Sequence, residues 1–172
     1  MRDFVKRFNS MPDRVKEMFA DAIEYFADKK DLWSIIFLVQ VIDFPTECES
    51  PIEQILWYAL RLMALRLNNF DIRFDSQVGV KVKEHHYRLD LFFEEDTESD
   101  DPVMVAVECD GHDFHEKTKE QVEKRNVRDM ELKKAGVDVL HYSGSQIYNN
   151  PYSCAKEIID YVTKLLSDKR RE

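Results

Sequence analysis

Val105-Ala106-Val107-Glu108-Cys109-Asp110-Gly111-His112-Asp113-Phe114-His115 is the stretch whose reading decides the fold. An apolar, strand-forming run that begins at Val103 ends in two carboxylates one residue apart, then a glycine and two histidines. Side chains alternate along a strand, which puts Glu108 and Asp110 on one face and Cys109 on the other. Carboxylates at the end of a buried run are costly unless they meet a cleft, a cation or a metal. A second strand just upstream, Tyr87-Arg88-Leu89-Asp90-Leu91-Phe92-Phe93, carries one acid amid apolar neighbours. If the two strands pair, Asp90 meets Glu108 and Asp110. Clustered carboxylate oxygens of this kind hold hard cations such as Mg²⁺ or Mn²⁺ together with water.

The 172 residues suit one domain with a modest extension. A hydrophobic fraction of 44% supports a core, and 34% charged residues suggest a well-solvated surface. No segment approaches the ~20 uninterrupted apolar residues of a membrane span, and Met1-Arg2-Asp3-Phe4-Val5-Lys6 has no signal-peptide apolar region. Cys48, Cys109 and Cys154 form no disulfide or zinc pattern, which fits a reducing cytoplasm. The net charge of −9 argues against a generic nucleic-acid coat protein. It leaves room for a nuclease, whose acids surround a metal and whose basic residues are confined to one face.

The first 45 residues read as a helical extension packed on the core, and residues 46–172 as the α/β domain. Val15, Phe19, Ile23 and Phe26 recur at helical spacing, and residues 32–44 suggest a second, largely buried helix. Ser50-Pro51-Ile52-Glu53 opens a central helix with serine at the cap, proline at the first position and glutamate at the third. Glu53 has two readings: a cap that bonds back to the Ser50 backbone, or a fourth carboxylate aimed at the cluster. Residues 70–74 and 77–80 suggest a first strand, bulged near Gly79, and Glu84-His85-His86 a turn. Residues 94–101 hold six acids and no base, as a hairpin loop would. A charged helix over residues 116–135 follows, in which residues 117–134 carry seven basic and four acidic side chains, a surplus of three. Lys117, Gln121, Arg125 and Arg128 share one side of it, with Lys124 close by, and that face can be a solvated surface or can hold a phosphate backbone. Residues 137–142 form a last strand, Ser143-Gly144-Ser145-Gln146 a turn whose serines cap a helix or touch phosphate, and Asn150-Pro151 starts a closing helix through Leu166. Lys169-Arg170-Arg171 reads as a frayed tail.

Helix, three strands, basic helix, strand, helix, with acids at Glu53, Asp90 and Glu108, resembles the PD-(D/E)XK restriction-endonuclease-like superfamily. Within it, the likeness is to the branch related to the very-short-patch-repair endonuclease. The residues that carry it are Gln77, the strand Tyr87-Arg88-Leu89-Asp90, Glu108-Cys109-Asp110-Gly111, Phe114-His115, residues 117–121, Arg128-Asp129, Leu132, Gly136, Ser143-Gly144-Ser145 and Asn150-Pro151. It spans about residues 51–166. The resemblance implies a small mixed sheet flanked by helices, a metal-dependent endonuclease activity, and Glu53 as a site residue as well as a cap. One departure stands out: the lysine usual two residues after the strand glutamate is Asp110. His115, Lys117 or Lys119 could reach the same space, and Asp110 could bind metal itself.

The leading expectation is a phosphodiesterase acting on DNA, RNA not being excluded, with Asp90, Glu108, Asp110 and the Cys109 carbonyl around Mg²⁺ or Mn²⁺. Glu53 and Asp110 would complete the shell or orient water, and Lys117, Gln121, Lys124, Arg125 and Arg128 would position phosphate. The rival is a catalytically silent nucleic-acid-binding or assembly subunit. Cys109, His112 and His115 have zinc-like spacing, but Cys109 should point away from the carboxylates. A homodimer is compatible with the sequence.

Overall fold

The computed structural model describes residues 2–31, 33, 34, 36, 38, 47–69, 71–95, 101–111 and 118–171. Its elements are α1 (Arg2–Ser10), α2 (Asp13–Asp28), α3 (Pro51–Leu67), β1 (Asp75–Val82), β2 (His85–Glu95), β3 (Val103–Asp110), α4 (Lys119–Lys134), β4 (Val137–Ser143), α5 (Gly144–Asn149) and α6 (Pro151–Lys169). The strands form one open sheet in the order β1-β2-β3-β4. The first two pairings are antiparallel, and β3 runs parallel to β4 with α4 as the crossover. The expected small mixed sheet flanked by helices is the fold found.

Alternation along β3 divides the interior. Val103, Val105 and Val107 join the larger core with α2, α3 and α6, while Ala106 joins a smaller core with Leu132 of α4. The sheet therefore lies between two helical layers, the second being α4. Helix α3 is central because apolar residues cover most of its circumference: Ile55, Leu56, Trp57, Tyr58, Ala59, Leu60, Leu62, Ala64 and Leu65 are all buried. Ser50 caps its start, and Asn68 in the left-handed region ends it. Helix α2 rests on α3 through Val15, Met18, Phe19, Ala22 and Phe26, and Tyr152 of α6 donates to the Met18 carbonyl at 2.8 Å. Among the described residues no helix is long and apolar enough to cross a membrane.

Several local expectations need correction. Residues 71–74 are irregular rather than strand, although Ile72 and Phe74 are buried. The ladder with β2 begins at Asp75↔Phe92, so upstream residues bury apolar side chains without a pairing partner on β2. Gly79 pairs regularly with Arg88, and the irregular residue is Gln77, at φ 57°. The turn is Lys83-Glu84, so His85 and His86 already belong to β2. Helix α4 starts at Lys119, because Thr118 closes a capping box with Gln121. The Ser143–Gln146 segment is not a plain turn: Ser143 caps α5, which settles the capping reading there. Helix α6 runs past Leu166 to Lys169, whose ammonium meets Asp101, and Arg170 reaches Glu95 at 3.5 Å, so the basic tail is tied down. Of the helix expected over 32–44, Ser34 and Leu38 are buried, but Trp33 and Ile36 are exposed. Most of that segment, and residues 96–100 of the acidic loop, lie outside the described residues.

Candidate functional site

Strands β2 and β3 pair from Glu95↔Val103 to Leu91↔Val107 and then part. Asp90 sits at the parting. Its Oδ2 accepts a hydrogen bond from the Cys109 backbone N–H at 2.9 Å, where the ladder no longer supplies a carbonyl. The Asp90 carboxyl is pushed up to about 6, first by burial. The Cys109 N–H works against that rise, repulsion from Glu108 and Glu53 adds to it, and Arg128 pulls the value down. Strand alternation also slips here: Leu89 joins the smaller core and Leu91 the larger one.

Glu53 is buried at 8% exposure although it is charged. Its backbone N–H donates to Ser50 Oγ at 3.2 Å, so the serine half of the expected capping box forms. The carboxylate does not return to Ser50. Its Oε2 accepts from the Glu49 N–H at 2.9 Å and from Gln77 Nε2 at 2.7 Å. Glu53 thus opens α3 through its backbone, while its carboxylate turns to Glu49 and Gln77 instead of Ser50 and adds to the repulsion that Asp90 feels.

Helix α4 answers the β3 carboxylates with arginines. Arg128 grips Glu108 in a fork, Nη2–Oε1 2.8 Å and Nη1–Oε2 3.0 Å, and also donates to the Arg88 carbonyl at 2.9 Å. Asp110 Oδ2 lies 3.2 Å from His141 Nδ1 and 3.6 Å from Arg125 Nη1. The other His141 nitrogen faces Asp129 Oδ2 at 3.0 Å. Glu108 and Asp110 do share the α4 side of the sheet, as alternation requires. Glu108 and Asp110 are engaged by Arg128, Arg125 and His141, while Asp90 bonds to the Cys109 backbone. Among the described residues no group of three or more His, Cys, Asp or Glu side chains stands ready to hold a metal ion.

Lys119 and Lys124 are exposed. Gln121 Oε1 accepts from the Thr118 N–H at 2.8 Å, which holds its side chain at the helix start. His115 and Lys117, with His112 of the zinc alternative, lie outside the described residues. Cys109 packs against the larger core, away from Glu108 and Asp110, and burial pushes its thiol far up. A soft thiolate ligand does not suit that environment. His141 had no role in the sequence reading, and Asp129 entered it only among the residues that carry the resemblance. The signal for His141 is the register Glu108↔His141, which local patterning does not contain.

A sheet in the order β1-β2-β3-β4, with α4 across one face and acids where β2 and β3 part, defines a restriction-endonuclease-like α/β protein. The family model REase_MTES_1575, which describes a restriction-endonuclease-like family, matches residues 61–162, and the chain belongs to that family. The match covers β1 to β4, α4 and α5, and starts after Glu53. Comparison with curated proteins and with solved structures gives no match.

Proposed function

We propose that this protein is a metal-dependent nuclease that hydrolyses phosphodiester bonds in DNA, in the branch related to the very-short-patch-repair endonuclease. The observation that carries this reading is Asp90: a carboxylate held in the opening between β2 and β3, pushed up to about 6, with Glu53 and Glu108 as acidic neighbours. A cation seated beside Asp90 would offset both its burial and the repulsion from its acidic neighbours. The donor chemistry fits Mg²⁺ or Mn²⁺, because all the candidate donors are hard oxygens. Arg128 on Glu108 already shows a positive group seated there.

Asp90 and Glu108, with Asp110 and the Cys109 carbonyl, would hold the cation, which when bound supplies Lewis-acid stabilisation of charge developing at phosphorus. Glu53, which accepts from Gln77, would complete the shell or orient water. Arg125 and Arg128 reach from α4 to the same strand end and suit phosphate oxygens. Lys124 and Gln121 lie on the same helix, and His115, Lys117 and Lys119 are the candidates for the missing lysine's role.

Purified protein incubated with supercoiled plasmid, single-stranded DNA and RNA, in Mg²⁺, Mn²⁺ or EDTA, tests this. Metal-dependent cleavage that Asp90→Asn and Glu108→Gln abolish is the expected result. The rival reading, a silent binding or assembly subunit, is favoured by Asp110 in the lysine position and by arginines already paired with two of the acids. No cleavage of any substrate, with no metal-induced rise in melting temperature, would favour the rival.

A further inference from the structure

Four residues among those described, apart from glycine, have positive φ: Lys30, Asn68, Gln77 and Lys83. Three of them lie in turns or helix ends, where such a conformation is ordinary. Gln77 lies inside β1. The neighbouring pairs are Ser76↔Leu91 and Val78↔Leu89, so Gln77 stands directly across from Asp90. A left-handed glutamine inside a strand is strained, and strain of this kind collects at functional sites.

The side chain adds a second, independent cost. Gln77 Nε2 donates to Glu53 Oε2 at 2.7 Å. A carboxylate only accepts, so the amide must turn its NH₂ to Glu53 and its oxygen away. That oxygen, Oε1, is buried, and among the described residues nothing donates to it. A buried acceptor with no donor is unfavourable unless something absent from the chain supplies the partner. Both costs fall on one residue, beside Glu53 and across from Asp90, whose negative charges repel.

We propose that Gln77 is a positioning residue of the candidate site. Its NH₂ fixes the Glu53 carboxylate, and its Oε1 is a further hard oxygen for the divalent cation, directly or through water. This rests on the metal-dependent reading above. A purely structural Gln77 would instead act by bending β1, so that Val78, Val80 and Val82 face the smaller core.

The two roles differ in sign under substitution. The test uses full-length, metal-free protein, with melting followed in EDTA and Mn²⁺ affinity followed by electron paramagnetic resonance of the unbound ion. Gln77→Gly accepts the left-handed backbone and deletes the orphaned oxygen, which offsets the donor lost to Glu53. It should melt no lower than wild type and bind Mn²⁺ roughly tenfold more weakly or worse, the usual scale for losing a supporting group. Gln77→Glu keeps an oxygen but sets a carboxylate against Glu53. It should melt lower in EDTA and bind Mn²⁺ at least as tightly as wild type. Gln77→Asn, which tolerates the left-handed region and withdraws the amide by one methylene, should weaken Mn²⁺ as the glycine does and serves if that variant fails to fold.

If the variants melt lower and bind Mn²⁺ as wild type does, Gln77 is structural and the assignment is overturned, while the metal-dependent reading stands. If wild type itself binds no Mn²⁺, both fall.

Discussion

Replacing Asp90 by asparagine should make the metal-free protein more stable, and only above a certain pH. The Asp90 carboxyl is pushed up to about 6 by burial and by repulsion from Glu108 and Glu53, against an ordinary value near 3.8. The folded protein therefore keeps a proton that the unfolded chain has already released. A group raised in this way stabilises fully below the unfolded value, and that contribution is lost as pH rises through the folded value. The rise from 3.8 to about 6 corresponds to roughly 3 kcal/mol, and partial exposure and solvent screening reduce this to about 1–2 kcal/mol. Asparagine keeps an oxygen for the Cys109 N–H and removes the charge. The expected gain at pH 8 is roughly 2–8 °C in melting temperature for a domain of this size, shrinking toward zero near pH 4, where the wild-type carboxyl is itself protonated. Thermal melts of both proteins in EDTA between pH 4 and 8 measure it. A difference that is flat with pH, or a variant that melts lower at pH 8, would refute the placement of an uncompensated charge at the strand opening. Added Mn²⁺ should reverse the order, because it stabilises wild type by mass action and the variant much less.

Arg128→Met removes the fork on Glu108 and the donor to the Arg88 carbonyl, and should cost about 2–3 kcal/mol in urea unfolding without metal. The same variant should bind Mn²⁺ more tightly, since the competitor for Glu108 is gone. Leu132 is the one buried side chain of α4, so Leu132→Ala should cost about 2–5 kcal/mol and speed amide hydrogen exchange throughout that helix. Replacing residues 96–100 by a tight turn should leave melting unchanged, because β2 and β3 are already paired at Glu95↔Val103; a loss of activity without unfolding would show that the acidic segment does more than connect.

What the sequence discloses here follows how local each signal is. The buried run of β3 and the serine-proline start of α3 depend on neighbours in the chain, and both form as read. Glu53 was legible only in part, since its carboxylate bonds to Gln77, 24 residues away, rather than to its own helix start. The direction of Arg125 and Arg128 was not legible. A helix with a single buried residue gives almost no apolar stripe to orient it, so a basic face turned to solvent and one turned to the sheet look alike. His141 was missed because its contacts depend on the parallel register of β3 with β4, strands that residues 111–136 separate in the sequence.

Asp110 stands where the resemblance leads one to look for a lysine, and the simplest expectation is that Asp110→Lys would repair the site. The geometry argues the opposite. Asp110 is nearly buried, with His141 Nδ1 at 3.2 Å and Arg125 Nη1 at 3.6 Å. An ammonium there would lose both and face the guanidinium as a like charge, at a cost of about 3 kcal/mol, or roughly 6–12 °C of melting temperature. Positive charge does reach this strand end from α4: Arg125 and Arg128 pair with Asp110 and Glu108. A guanidinium does not give up its proton in a protein, so these arginines can hold phosphate and offset charge but cannot act as a base. Asp110→Lys should therefore lower stability without raising cleavage. Combining it with Arg125→Glu, which restores opposite charges at the same pair of positions, should recover most of the lost stability. A double-mutant cycle on the four proteins reads that coupling directly. If Asp110→Lys instead melts like wild type and cleaves faster, the lysine was simply missing, and the pairing of Asp110 with α4 has no bearing on activity.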